Sequence, residues 1–309
     1  MTMAPEQVLA VAQAGRRLHC TEALFTLGER PEQRYPEARN ALRKLGFSTT
    51  LEYLRYASDL VMKKTGLLPH ANPGTMTKKE MASLRNVNAS MGLMLENVSE
   101  RLCKPGGPHA NAPSKHPKLR LATIHNAGEL KVAFTTGLLI GIGETVDEIV
   151  DSLYAIKQLN DEYGHIQELI IQNFRAKPDT PMNGHMEPSH DFMMNVVAVA
   201  RLIFGKDMNI QVPPNLTPCF YPDFLISGMN DWGGISPVTK DYVNPEAPWP
   251  EVRLVSKACE ERGFKLKARL PIYPEYILQK SEFIPAPINP LVRSMVDCDG
   301  YVSWTDVCN

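Results

Sequence analysis

Strand-like apolar runs alternate with helix-like amphipathic runs almost from one end of this chain to the other, and that alternation leaves few folds open. The periodicity predicts helices over residues 5–15, 51–64, 78–88, 119–130, from 145 onward, and 191–204. Between them stand TEALFTLGE, LLPHANPG, SMGLMLENVS, TTGLLIGIGET, HIQELIIQNF and NIQVPPN, each an apolar run ended by glycine, proline or a polar residue. Repeated strand-helix units of about 30 to 40 residues imply parallel strands with right-handed crossovers, hence an α/β barrel or an open doubly wound sheet. Both fold classes gather ligands at the C-terminal ends of their strands. Glu29, Asn72, Glu96, Glu144 and Asn173 each follow a different strand-like run, so a barrel would bring all five to one face.

The stretch Thr135 to Thr145 is the sharpest of these strand ends. Gly137, Gly141 and Gly143 would let backbone approach a flat ligand closely, or serve only tight packing. Behind the turn, Thr145 and Glu148 have the spacing of a capping box. Val146, Ile149, Val150, Leu153 and Ile156 form the apolar face of the helix that follows.

Composition narrows the function. Of 309 residues, 43% are hydrophobic and 22% charged, enough for one large domain or two small ones. The chain reads as one domain over 1–309, with a barrel core to about residue 235 and a C-terminal cap with substrate-side loops from about 236. Prolines and aromatics crowd that last third, in VPPNLTPCFYPD, GGISPVTKDYVNPEAPWP and LPIYPEYI, so it reads as ordered loops over a site or as an elaborate cap. A net charge of −1 with dispersed basic residues argues against a nucleic-acid partner. No apolar run reaches the roughly 20 residues that cross a bilayer, and the start MTMAPEQVLAVAQAG lacks a secretory pattern, so a cytosolic protein without a membrane partner is expected. Cys20, Cys103, Cys219, Cys259, Cys298 and Cys308 lie far apart and read as reduced thiols.

Several chemistries fit poorly. After Gly141 and Gly143, Val146 stands where a dinucleotide turn needs its third glycine, and the P-loop pattern is absent. GHMEPSH places His185, Glu187 and His190 close together, but it reads as a polar loop whose Ser189 caps the next helix rather than as a metal site. No nucleophile elbow supports a triad. Glu29 and Glu96 have the chemistry for acid/base work at a separation that sequence leaves open. Tyr242, Trp249 and Tyr273 either stack on a planar substrate or pack, packing being the commoner role.

Taken together, TEALFTLGERPE, GLMLENVSERL, GLLIGIGET, QNFRAKPDTPM, QVPPNL, DWGGISPVTKDYVNPEAPWP and YPEYI resemble the radical S-adenosylmethionine enzymes. Within them the chain resembles the FO synthase family, which forms 7,8-didemethyl-8-hydroxy-5-deazariboflavin. The match is to its CofG subunit or the equivalent half of the fused enzyme. The resemblance runs from about Pro5 to Tyr276; the block from Asp231 to Pro250 is its most specific part, whereas the glycine pattern ending at Glu144 is common to radical enzymes.

This resemblance implies a partial TIM-like (β/α) barrel holding a 4Fe-4S cluster and S-adenosylmethionine at its C-terminal face. It implies a radical cyclisation with ammonia release, acting on the tyrosine-derived adduct of 5-amino-6-(D-ribitylamino)uracil. Carried over by motif, Leu27, Gly28 and Glu29 match the segment that meets the methionine amino group, and Glu96 a position near the ribose or carboxylate. Gly141, Ile142, Gly143 and Glu144 match the adenine-side turn, and Asn173, Arg175 and Asn215 are cofactor or substrate contacts. Asp231, Trp232, Ser236, Asn244 and Glu246 are expected against the substrate. Implied partners are a companion subunit or fused domain that joins tyrosine to the uracil, and a reductant protein.

The sequence departs from the family in one place. C-x3-C-x2-C, whose thiolates hold the cluster, is absent, so no metal ligands are assigned. The expectation is of a barrel lacking its first strand and cluster loop through N-terminal truncation, inactive alone and exposing a strand edge that favours aggregation. A non-catalytic barrel that keeps a ligand pocket and the companion coupling subunit are the alternatives.

Overall fold

Each strand-helix boundary is set by a few local groups. The computed structural model describes residues 2–303. Its strands are β1 (Glu22–Thr26), β2 (Leu68–Asn72), β3 (Ser90–Gly92), β4 (Phe134–Ile140), β5 (Ile166–Asn173) and β6 (Ile210–Gln211). They form one sheet in chain order, β1 to β6. β1 pairs with β2 in parallel from Glu22–Leu68 to Thr26–Asn72, β2 with β3 through His70–Ser90, and β5 with β6 through Leu169–Ile210. Parallel neighbours need long crossovers, which is why helices fall between them.

The helices are α1 (Pro5–Arg17), α2 (Pro31–Arg34), α3 (Pro36–Lys44), α4 (Thr50–Thr65), α5 (Lys78–Arg85), α6 (Pro117–Glu129), α7 (Val146–Tyr163), α8 (His190–Phe204), α9 (Val252–Glu260), α10 (Pro274–Leu278) and α11 (Asn289–Ser294). The α7 capping box forms as the sequence predicts: Glu148 N–H donates to Thr145 Oγ1 at 3.2 Å and Thr145 N–H to Glu148 Oε2 at 2.8 Å. Gly164 then ends the helix at φ 64°. Ser189 caps α8, accepting from Phe192 N–H at 3.2 Å.

Three expectations change, and one stretch without an assignment folds into helices. Val146 stands first in α7, before the buried stripe begins, and is 61% exposed; Ile149, Ser152, Leu153 and Ile156 are the buried face. α5 stops at Arg85 rather than 88, because the Asn88 side chain donates to the Leu84 carbonyl at 2.9 Å. The basic stretch after β1 folds into α2 and α3, each opened by a proline at its first helical position. SMGLMLENVS supplies only three residues to β3 before Glu96 rejoins the sheet through an isolated bridge to Leu138.

The fold divides into two compact units. The first comprises 1–93, 126–134 and 267–309. There α1 packs on α4, α4 on β2, and a core of Leu68, Ala89, Ala133, Leu270, Ile272, Tyr276, Phe283 and Ile288 closes beneath the strands. Buried His70 approaches Ser90 Oγ through Nδ1 at 2.7 Å, and Ser90 Oγ donates to the Pro271 carbonyl at 2.5 Å. Burial, and then the charge of Arg269, lower the His70 pKa to about 3. The second unit comprises 94–125 and 135–266. There α8 packs on α7, β5 and β6, over Leu138, Ile140, Leu169, Ile171, Val197 and Ile210. No described helix is long and apolar enough to cross a membrane.

Candidate functional site

Gly137 and Gly141 answer the question that the glycine-rich turn poses. A Cβ on Gly137 would run into the Ile170 carbonyl of the neighbouring strand, so this glycine serves close strand packing and not a flat ligand. Gly141, at φ 96°, faces Pro188, while Gly143, at φ 100°, borders open space. Glu144 turns back on its own loop and accepts from Gly141 N–H at 2.7 Å and Ile142 N–H at 2.8 Å. The carboxylate therefore shapes the turn.

Glu96 lies at the centre of a denser charge cluster. It is 6% exposed, and its backbone adopts φ 67°, a left-handed conformation costly for a side-chain-bearing residue. Bonds on both sides hold it there: Glu96 N–H donates to the Gly137 carbonyl at 2.9 Å, and Leu139 N–H to the Glu96 carbonyl at 3.2 Å. Lys115 Nζ pairs with Oε1, and Arg120 Nη1 stands 3.5 Å from the same oxygen. His109 Nε2 stands 3.0 Å from Oε2. Burial pushes the Glu96 carboxyl up, yet His109, Lys115 and Arg120 outweigh it and hold the pKa at about 2.

Beyond β5 and β6 the same unit forms an open-mouthed cavity of about 300 Å³, at the small end of ligand pockets. Asn173, Arg175, Glu187, His190, Leu216 and Thr217 line it, over an apolar floor that includes Met193 and Phe220. Three buried polar atoms of this lining have no partner among the described residues: Asn173 Oδ1, His190 Nδ1 and Thr217 Oγ1. Arg175 Nη1 donates to the Leu216 carbonyl at 3.2 Å and lies 3.5 Å from Glu187 Oε2. A buried polar atom left open is costly unless something fills it.

Next to this cavity in sequence, Asn215 joins the 231–250 block. Its Nδ2 donates to Asp241 Oδ2 at 3.0 Å and to the Ala247 carbonyl at 3.2 Å. Asn244 Nδ2 donates to Asp241 Oδ2 at 3.1 Å, while Lys177 Nζ donates to Asn244 Oδ1 at 2.8 Å and pairs with Glu246. Burial raises the Asp241 carboxyl pKa, but the Asn244, Val243 and Asn215 donors overcome that and set it below the ordinary range.

The remaining expected residues fall elsewhere. Trp232 is 6% exposed, edge-on to Tyr221, with its indole N–H toward Cys259 Sγ at 3.4 Å, so it packs rather than offering itself to a ligand. Ser236 accepts from Val238 and Thr239 N–H and shapes a loop; Asp231 receives Gly233 N–H at 2.6 Å. In the first unit, Gly28 is exposed and Leu27 half-buried, while Glu29 accepts from Thr75 through both backbone N–H and hydroxyl. Tyr273 is buried and packs, Tyr242 is 76% exposed, and Trp249 is half-buried. His185 meets Phe174, Glu187 takes Ala176 N–H, and His190 faces Asp223, so GHMEPSH does not close on a metal.

An iron-sulfur cluster does not fit the residues present. It needs thiolates converging from one loop. The described cysteines stay dispersed, Cys308 lies outside the described residues, and no group of three or more His, Cys, Asp or Glu could hold a metal among those described. S-adenosylmethionine is another matter. The open Asn173, His190 and Thr217 atoms around an apolar-floored cavity fit a ligand with a polar, hydroxyl- or amine-bearing edge.

Comparison with known proteins decides the family. The chain is 50% identical over 97% of its length to 7,8-didemethyl-8-hydroxy-5-deazariboflavin synthase from Methanopyrus kandleri, covering 89% of that protein. It belongs to that family. It is also 46% identical over 96% of its length to FO synthase from Streptomyces avermitilis, spanning only 35% of that longer protein. Methylornithine synthase, PylB, shares the fold at TM-score 0.61 and 16% identity, covering 86% of this chain and 74% of its own. The α/β fold with a parallel sheet expected from the sequence is thereby met. No protein-family model matches the chain.

Sequence reasoning missed His109, Lys115, Arg120, Lys177, Thr217 and Asp241. Three of them carried a signal: Lys177 stands two residues after Arg175, Thr217 two after Asn215, and Asp241 inside the 231–250 block.

Proposed function

We propose that this chain is the S-adenosylmethionine- and substrate-binding barrel of an FO-forming enzyme. The reaction is a radical cyclisation of the ammonia-lyase type on the tyrosine-derived adduct of 5-amino-6-(D-ribitylamino)uracil. The observation that carries this reading is 50% identity over 97% of the chain to a synthase of that name. S-adenosylmethionine, when bound, supplies the adenosyl group from which the family's chemistry starts. The chain's own part is to bind and orient: Asn173, Thr217 and His190 offer hydrogen bonds at the cavity, Arg175 adds a cation, and the apolar floor excludes water.

No step is assigned to a cluster, because the thiolates for one are absent. The chain by itself therefore binds S-adenosylmethionine without cleaving it. The tyrosine-uracil coupling protein and a reductant protein are its working partners in this reading. The open polar atoms of the cavity suit a second reading too, a ligand-binding barrel with no chemistry of its own.

Calorimetric titration with S-adenosylmethionine and with FO tests both readings. Saturable binding of both supports the synthase reading, and binding of neither overturns it. Anaerobic iron and sulfide reconstitution with S-adenosylmethionine and a reductant is expected to release no 5′-deoxyadenosine. Its release would sink the claim that binding and cleavage are separate here.

A further inference from the structure

Resting on the synthase reading, we propose that Asn215 is the specificity residue for the pyrimidinedione ring of the substrate. Its side-chain carbonyl accepts the ring imide N–H, and Asp241, Asn244 and Lys177 act as positioning residues.

The argument starts from which way an amide can face. The Asn215 side chain has two ends, and its neighbours decide between them without reference to fit. Asp241 Oδ2 and the Ala247 carbonyl are both acceptors, at 3.0 Å and 3.2 Å, so only the amide NH2 can face them. The carboxylate is ionised, because its pKa is held below the ordinary aspartate value, and an ionised carboxylate has no proton to give. Asn215 Oδ1 must therefore point away from both. That oxygen is buried, in a residue 2% exposed, and it has no partner among the described residues. A buried acceptor in this state calls for a donor from outside the chain.

The positioning groups are locked by the same logic. Asn244 donates to Asp241 through Nδ2 and accepts from Lys177 Nζ at 2.8 Å, so neither end of its amide can turn. Lys177 is held in turn by Glu246. A chain of four residues thus fixes the direction of one carbonyl.

Trp249 lies two residues beyond Ala247, and its indole N–H is also buried and without a partner among the described residues. Asn215, hydrogen-bonded to the Ala247 carbonyl, carries the open acceptor, and Trp249, two residues past Ala247 in the chain, carries an open donor; an imide edge, where an N–H adjoins a carbonyl, has the complementary pair of groups. Leu216, 1% exposed, and Ala247, 7% exposed, make the surroundings apolar, which suits a flat heterocycle better than a polyol.

FO carries this imide N–H, so FO and FO methylated at that nitrogen are the probes. The unaltered chain is expected to bind FO about 10- to 100-fold more tightly than the methylated form. N215A should weaken FO binding by a similar factor and lose the discrimination, binding both forms within about twofold. D241N gives a second view, because an amide at 241 can donate to Asn215 Oδ1 and occupy it, so discrimination should again collapse. K177M is expected to reduce discrimination and K177R to restore it, which a merely stabilising lysine would not do. Unfolding midpoints of each variant show whether it is folded. Failure of the unaltered chain to bind FO overturns the synthase reading along with this one. FO binding with discrimination intact in N215A overturns the Asn215 assignment alone.

Discussion

In the unit that contains His70, buried polar groups meet one another: His70 with Ser90, Ser90 with the Pro271 carbonyl, and Ser58 with Asn88. The unit that contains Asn215 leaves Asn97 Nδ2, Asn173 Oδ1, His190 Nδ1, Asn215 Oδ1, Thr217 Oγ1 and Trp249 Nε1 buried and unpartnered among the described residues. Both units are built of strands and helices, so the difference lies in what folding leaves to be completed. One unit is finished by its own chain. The other carries acceptors and donors that a ligand would satisfy, which is how a binding site differs from a scaffold built of the same parts.

Charge removal should separate the units most strongly. E96Q strands Lys115 and Arg120 beside an uncharged group and is expected to cost about 3–5 kcal/mol in denaturant unfolding. E80Q breaks the part-exposed Arg30–Glu80 pair of the first unit and should cost only about 0–1 kcal/mol. Equal costs would erase the contrast.

A pH titration addresses the finished unit. The folded His70 pKa, about 3, lies below the ordinary histidine value of 6.5, so the unfolded chain binds the proton first. His70 contributes its stability in full above pH 6.5, and the contribution is lost as pH falls from there toward 3. The expected slope is about 1.4 kcal/mol per pH unit. Below about pH 4.5, Glu80, Glu96 and Glu148, each held at about 2, add losses in the same direction. Unfolding curves of H70N between pH 6.5 and 4.5 should be flatter than those of the unaltered chain, and an unchanged slope would remove His70 from the account.

Packing effects come next. G137A forces a methyl group against the Ile170 carbonyl and is expected to cost about 1–3 kcal/mol. Tolerance of G137A would reopen that position to a ligand. The smallest change is at the sheet's first strand, where Leu24 is 57% exposed. L24K should leave the unfolding midpoint within about 0.5 kcal/mol while reducing light scattering at high concentration.

Local signals were the legible ones. The Thr145–Glu148 box, the Ser189 cap and the end of β5 at Asn173 each depend on residues within four positions of one another, so the sequence order itself displays them. Two prolines at helix starts, Pro31 and Pro36, are equally local markers of α2 and α3. Glu96 was legible as a strand end, but its partners were not. His109, Lys115 and Arg120 lie 13 to 24 positions further on in a proline-rich stretch with no period to follow. The Lys177–Glu246 pair spans 69 positions. Trp232 misled for a different reason: the block around it suggests recognition, while its ring is spent on Tyr221 and Cys259.

The turn closed by Glu144 is already occupied at the amides where glycine-rich turns receive anions. Two successive amides, of Gly141 and Ile142, already point at a carboxylate that belongs to the protein. An incoming phosphate would have to compete for those amides with a tethered anion and bear its repulsion as well. The turn thus carries its own tethered anion in the place where a phosphate would otherwise meet these two amides.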